Sequence, residues 1–558
     1  MDLVIVKNLQ CLKQYKLSFF EKKLILVFDW RAYYFLRKKK NLNILYAEDL
    51  FPYKKFNVFT IKNNNKIKHI IDVYNKELFK ENFFFKKKKW KFFNNFFLEI
   101  KFFIDTTHYV NFVLNKIFLD YKIIRIHHLH YPINYAQLID NKFYTSVDYV
   151  LANNNKFDYI EQNIKQNTKC YKYDLKNNTK NFIPKIKNLI KMLIFLVTPV
   201  FKNKNLFVSG KNNFLKTLPN LDFADHSLLI LNKNINKKKF NYASFICDGL
   251  NLNILIENFY HMSISKISNY KFYYFLYKYK IKNYRIIFFS YTGSFFPIFT
   301  LLKQICIELK IKNITWSHGL FGLSEISRGW IDNDFVNMKN IGCTVGFTKH
   351  KKFQFNKFYN LGFIPSNADN ISQIKKSKKK IILLVAGRAV KDNGFYHGTN
   401  RNGSISGFAD DTVQLIQCLL KFSKDYEIIF KDYPFHTFFK PIIKDIAKNK
   451  IKYISNEESL DSLLSKSDFN IFTYVSNSLI QSLPFKADSF ILEPNLLKNF
   501  NNNEFTQYGI NFFQNLTFMK NEINQKLSKN IFYYQNKQKL IDKYLSDLRK
   551  YKTFLKRF

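Results

Sequence analysis

Four stretches of the chain follow a strand-like run with residues able to move a proton or hold an anion. After 313–316 comes Ser317-His318-Gly319-Leu320-Phe321-Gly322, which sets an imidazole beside glycines. After 381–386 comes Gly387-Arg388, after 426–430 comes Lys431-Asp432-Tyr433-Pro434-Phe435-His436, and after 469–473 comes Tyr474-Val475-Ser476-Asn477-Ser478. A histidine titrates near neutral pH and serves as a general base, whereas Lys and Arg stabilise negative charge as it develops. A Ser-rich turn that opens a helix can cap it and also hold a phosphate. Open α/β sheets bind ligands at the carboxyl ends of their strands, so chemistry and placement agree. Twelve of the fifteen glycines fall between Gly293 and Gly407, where the backbone must turn sharply or approach something closely. Neither a Walker pattern nor a dinucleotide fingerprint is present.

The elements that carry these residues follow from periodicity. Residues 285–290 form a β-branched and aromatic run, Tyr291-Thr292-Gly293-Ser294 a turn, and Phe296, Phe299, Leu302, Ile305, Cys306 and Leu309 recur at helical spacing. With the strand at 313–316 this is a βαβ unit. Further strands are expected at 24–28, 43–46, 149–152, 205–209, 227–231 and 242–247, and at 344–348 and 358–365. In the last third they recur at 381–386, 426–430, 451–454 and 469–473, alternating with helices. Asp410-Asp411-Thr412 reads as the cap of the helix that carries Val413, Ile416, Leu419 and Leu420. The expected fold is α/β, two Rossmann-like doubly wound parallel-sheet domains facing a central cleft. The domains are 1–340, with a polar insertion near 153–190, and 341–558, ending in one amphipathic helix over 530–558.

Composition narrows the class. The net charge of +47 suggests nucleic acid or an anionic membrane, yet only nine of 89 basic residues are Arg and none of them cluster. A solvated Lys-rich surface is the simpler account, and no nucleic-acid partner is expected. The cysteines, Cys11, Cys170, Cys247, Cys306, Cys343 and Cys418, are too dispersed for a zinc site or disulfide framework and fit a reduced, cytoplasmic protein. No signal peptide or membrane-spanning run is read. Residues 86–97 interleave lysines with Trp90, Phe92 and Phe93, which suits contact with an anionic membrane or a helix with one buried face. His127, His128 and His130 lack nearby metal partners in sequence and read as a loop cluster near the cleft.

The order His318-Gly319, Arg388, Lys431-Asp432-Tyr433-Pro434, Ser476-Asn477-Ser478, each at a strand end, resembles GT-B-fold glycosyltransferases of bacterial surface and capsular polysaccharide biosynthesis. CDP-glycerol glycerophosphotransferases are close behind. The resemblance covers about residues 285–495. Two departures stand out: the Lys-x-x-Pro loop lacks a central His, with His436 two residues beyond, and Gln481 stands where an acidic residue holds the donor ribose.

The resemblance implies transfer of a sugar or polyol phosphate from a nucleotide-activated donor to a glycan or lipid-linked acceptor. It implies neither metal nor cofactor, and a terminal helix that crosses back to the N-terminal domain. The cysteines place the chain in the cytoplasm, and residues 86–97 suggest peripheral contact with the inner face of the membrane. Arg388 and Lys431 would stabilise the departing diphosphate, and His318 would act on the acceptor hydroxyl. Gly387, Tyr433, Pro434, His436, Ser476, Asn477, Ser478 and Gln481 would line the donor side. Tyr291, Thr292, Gly293, Ser294, Gly319 and Gly322 would line the cleft loops. A nonhydrolysing sugar-nucleotide epimerase and a basic nucleic-acid-binding protein are the alternatives.

Overall fold

Short apolar runs bounded by polar turns become the strands of three parallel sheets. The computed structural model describes residues 1–51, 53–93, 97–130, 143–158, 160–166, 204–208, 221–224, 246–247, 249–253, 256–257, 260, 274–275, 277–289, 297–316, 341–344, 357–360, 379–386, 405–432, 437–455, 457–473, 477–485, 487–493, 503–532, 537–544 and 553.

The N-terminal sheet contains β1 (Asp2–Val6), β2 (Leu24–Val27), β3 (Asn43–Tyr46), β4 (Arg125–His130) and β5 (Glu161–Gln166), in the order β3-β2-β1-β4-β5. The inner strands are buried on both faces, which is why β2 reads as the unbroken apolar run LILV rather than as an alternation. Asn8 and Asp29 follow β1 and β2 and cap the next helices, accepting from the Cys11 and Arg31 amides at 2.9 and 2.8 Å.

The middle sheet contains β6 (Lys204–Val208) and β7 (Leu221–Ala224). After a short antiparallel pair, β8 (Ile246–Cys247) and β9 (Leu250–Asn251), it continues with β10 (Tyr284–Phe289), β11 (Lys312–Trp316), β12 (Ile341–Thr344) and β13 (Lys357–Asn360). Its order is β13-β12-β11-β10-β6-β7. The expected βαβ unit is there, with β10 and β11 parallel neighbours joined through the helix Pro297–Glu308.

The C-terminal sheet contains β14 (Lys380–Val385), β15 (Tyr426–Lys431), β16 (Lys452–Ile454), β17 (Phe469–Phe472), β18 (Asp488–Leu492) and β19 (Ile510–Phe513), in the order β16-β15-β14-β17-β18-β19. All pairings in the three sheets are parallel, so the α/β, doubly wound class holds.

Several expectations need correction. Residues 1–340 hold the N-terminal sheet and most of the middle one, and the middle sheet runs past residue 340, because β12 pairs with β11 (Ile314 opposite Ile341) and covers an edge that would otherwise be bare. Within the polar stretch read as an insertion near 153–190, β5 pairs with β4 along six residues. The strand expected at 149–152 is part of the helix Phe143–Asn153, packed against the helix Phe97–Asp120. From Ser146 to Leu151 every residue is buried, so no exposed polar face betrays the helical period there. His127, His128 and His130 lie in β4, not in a loop. The helix after the glycine-rich stretch begins at Ile405, and inside it the Thr412 hydroxyl donates to the Phe408 carbonyl at 2.8 Å.

Three aromatics of 86–97, Trp90, Phe92 and Phe93, are not available to a membrane. Trp90, Phe92 and Phe93 are buried; Trp90 stacks on Phe85 at 5.2 Å and Phe93 on Tyr260 at 5.1 Å. Burying rings of this size outweighs leaving them at a headgroup surface, and the lysines between them point outward. Of the tail expected to cross back, residues 533–536, 545–552 and 554–558 lie outside the described residues. Its helix Gln538–Tyr544 sets Leu540 into the C-terminal sheet's own core, and the buried Lys537 ammonium donates to the Phe485 and Ala487 carbonyls at 3.0 and 2.6 Å. Among the described residues no helix is long and apolar enough to cross a membrane.

The N-terminal sheet unit touches both others. Lys88 pairs with Glu308 of the middle unit at 3.0 Å. Toward the C-terminal unit, Trp30, which opens the helix Trp30–Leu36 at the end of β2, stacks on Phe438 with ring centroids 6.1 Å apart. Arg37 donates to Asp410 at 2.9 Å and the Tyr34 hydroxyl to Asp445 at 2.9 Å.

Candidate active site

The carboxyl edge of the C-terminal sheet is built from three adjacent strands. β14 lies between β15 and β17, and the chain leaves all three at one level: the Ala386 amide donates to the Lys431 carbonyl at 2.9 Å, and the Thr473 amide to the Val385 carbonyl at 3.2 Å. The described strand ends Ala386, Lys431 and Thr473 therefore lie side by side. The winding reverses between β14 and β17, which makes this the switch point of the sheet.

Lys431 ends β15 and is buried. Its ammonium donates to the Ser455 carbonyl at the end of β16, where the Ser455 amide in turn donates to Glu457 at 2.6 Å. Burial lowers its pKa below the ordinary lysine value, and the charges of Glu457, Asp432 and Glu458 act in the other direction. Asp432, also buried, accepts from the Tyr453 hydroxyl at 2.8 Å. Beyond β17 the helix Asn477–Ser482 opens as the Ser-Asn-Ser motif leads one to expect, with Ser478 and Gln481 half-buried.

His318, Arg388, Gly387, Tyr433, Pro434, His436, Ser476, Tyr291, Thr292, Gly293, Ser294, Gly319 and Gly322 lie outside the described residues, as does the side chain of Asn477. The strands that lead to them are in place: β10 and β11, which precede 291–294 and 317–322, are neighbours in the middle sheet.

One acidic residue on this edge escaped the sequence reading. Glu493 follows β18, is fully buried, and its amide donates to the Phe513 carbonyl at 2.8 Å. The signal was an acid directly after the apolar run Phe490-Ile491-Leu492 and before Pro494.

No family model and no curated protein sequence matches the chain. Solved structures give loose likenesses. An S. aureus MnaA-UDP co-structure shares 10% identity over 60% of this chain and 90% of that one, at a TM-score of 0.38. An S. aureus TarM mutant in complex with fondaparinux, alpha-GlcNAc-glycerol and UDP shares 12% identity over 50% of this chain and 58% of that one, at 0.34. MurG of Acinetobacter baumannii shares 10% over 59% and 90%, at 0.30. The fold assignment stands on the three sheets themselves.

Proposed function

We propose that this protein is a metal-independent glycosyltransferase that moves a sugar, or a polyol phosphate, from a nucleotide-activated donor to a hydroxyl of a surface-glycan or lipid-linked acceptor. The observation that carries the reading is three adjacent strand ends at a switch point, Ala386, Lys431 and Thr473, which the sequence continues with Arg388, with Asp432 and with the Ser-Asn-Ser stretch that leads into a helix. Such a set suits an anion whose charge grows as a bond to phosphate breaks. Arg388 and Lys431 hold the donor diphosphate, with Ser476 and Ser478 at the helix opening. Gln481 and the buried Glu493 are the groups suited to the sugar and ribose hydroxyls. His318, which follows β11 in sequence, belongs to the acceptor side of the reaction.

The exposed Lys86, Lys87, Lys89 and Lys91 support electrostatic attraction to anionic headgroups at a cytoplasmic membrane face, without insertion of the neighbouring rings. Asp432 and Glu493 on the same edge favour nonhydrolysing epimerisation of a sugar nucleotide as the second reading. A panel of UDP-, CMP-, GDP- and CDP-activated donors, assayed for transfer, hydrolysis and epimerisation, separates the two. Arg388→Ala and Lys431→Ala are each expected to weaken donor binding by about 1.5–3 kcal/mol, the loss of a charged hydrogen-bond partner. Unchanged donor affinity in both variants refutes the donor assignment.

A further inference from the structure

β1 and β4 are neighbours in the N-terminal sheet although β2 and β3 come between them in sequence. The chain winds from β1 outward to β3 and then returns to the other side of β1, so the winding reverses between β1 and β4. Lys7 directly follows β1, and His130 closes β4. The Lys7 ammonium, fully buried, donates to the Leu129 carbonyl at 2.7 Å and to Asp148 Oδ1 at 2.5 Å. The same carboxylate oxygen lies 3.3 Å from His128 Nδ1 and 3.4 Å from His130 Nδ1. Lys7 and Asp148 side chains are 0% and 1% exposed.

An ammonium and a carboxylate buried this completely return less stability than an apolar pair of the same size. Groups of this kind, gathered at a switch point, mark sites of chemistry. The opposite face of β4 offers a contrast: His127 Nε2 lies 2.9 Å from Asp2, a two-residue pair away from Lys7 and Asp148. The two rings on Asp148 also differ, since His128 is buried and His130 is about one-third exposed. An ionised carboxylate facing Nδ1 keeps a proton on that nitrogen, so Nε2 carries the lone pair. In His130 that nitrogen belongs to the exposed ring.

We propose that His130 is the proton acceptor for a hydroxyl-bearing ligand in the crevice over β1 and β4, with Asp148 as its positioning residue and Lys7 as the counter-charge that keeps Asp148 ionised. The identity of the hydroxyl rests on the transfer reaction proposed above: it is the acceptor's, and the base sits on the N-terminal sheet rather than in the His318 loop. The proton passes from the hydroxyl to Nε2 while Nδ1 keeps its own. The oxygen bonds to the anomeric carbon of the donor sugar as the carbon–oxygen bond to phosphate breaks, and that electron pair leaves with the nucleotide. The two units are in contact, since Trp30 and Arg31 at the end of β2 pack on Phe438 of the C-terminal unit. His130 is two strands further along, about 10 Å at the usual strand spacing.

Two measurements on the full chain test this. Diethyl pyrocarbonate acylates the lone-pair nitrogen of a neutral imidazole, and fragment-ion mass spectrometry assigns the modified ring. His130 is expected to react about tenfold faster than buried His128, and Asp148→Asn to slow His130 about threefold or more by removing the carboxylate that keeps the proton on Nδ1 and the lone pair on Nε2. Equal His130 rates in wild type and Asp148→Asn overturn the pairing, and an unreactive His130 overturns it too. In transfer assays, His130→Gln is expected to lower kcat by about 10²- to 10⁴-fold with the donor KM nearly unchanged. Full turnover in His130→Gln overturns the role as base. If the wild type turns over no donor in the panel, the transfer reading falls, and the labelling experiment alone decides whether Asp148 and His130 form the proton-accepting pair.

Discussion

Asp148 shows how one buried residue couples to the stability of its unit. Burial alone would push its pKa up, but the Lys7 ammonium, and after it the His128 and His130 rings, hold it below the ordinary carboxylate range. The folded value is therefore below the unfolded one, about 3.9. The stabilisation is present above that pH and is lost as the pH falls through the folded value. Lys7→Met leaves the carboxylate buried without its partner and should cost about 3–5 kcal/mol at neutral pH. Lys7→Met combined with Asp148→Leu should recover most of that loss, and the deficit of the single variant should shrink in acid. Urea unfolding at neutral pH and near pH 3 measures all three. The sequence displays the histidines as a cluster but hides their meaning. Their carboxylate arrives from a helix some 20 residues later, and their ammonium from the opposite end of the unit.

At the level of elements, legibility followed burial. Lys380–Val385 is apolar because both of its faces are covered, and its strand character is plain in the sequence. Phe143–Asn153 is covered too, but as a helix, and a short apolar run does not say which of the two it is. The RIHHLH sequence of β4 hides a central strand behind its polar side chains. The helix Ile405–Leu420 yields a prediction of its own. Burial, with the Asp410 charge adding to it, pushes the Asp411 carboxyl up to about 6. Here the folded value exceeds the unfolded one, so the fold favours the protonated form. That contribution is complete below about pH 3.9 and is lost as the pH rises through about 6. Asp411→Asn should thus stabilise the protein at neutral pH by about 1 kcal/mol, a figure reduced for partial exposure, and bring little near pH 4. Gly509, at φ +72°, precedes β19, and an added Cβ would run into Asp488 Oδ1. Gly509→Ala is expected to cost about 1–3 kcal/mol, readable as a drop in Tm.

For the whole molecule, the junction between the N- and C-terminal sheet units ties the first third of the chain to the last. A groove of about 680 Å³ lies there, lined in part by Tyr34, Arg37, Lys38, Asp410, Gln414 and Asp445. Its ion pairs, Arg37 with Asp410 and Lys38 with Asp445, are about one-third exposed or more and each contributes under about 1 kcal/mol. The buried stack of Trp30 on Phe438 is the stronger tie. Phe438→Ala, at about 3–5 kcal/mol for a buried ring, should loosen the units, seen as a larger radius of gyration by small-angle scattering. Arg37→Ala should leave that radius unchanged. The number of sheets was the least legible feature, because the pairing of β12 with β11 joins segments separated by 24 residues of polar and glycine-bearing sequence. The N-terminal sheet also sets a timetable. Val4 of β1 pairs with His127 of β4, 123 positions later (127 − 4). At a synthesis rate of about 5–20 residues per second, the central strand waits about 6–25 s for that neighbour. Through that interval its apolar face stays open on the nascent chain, so the yield of folded protein should depend on translation speed and on chaperones that shield such segments.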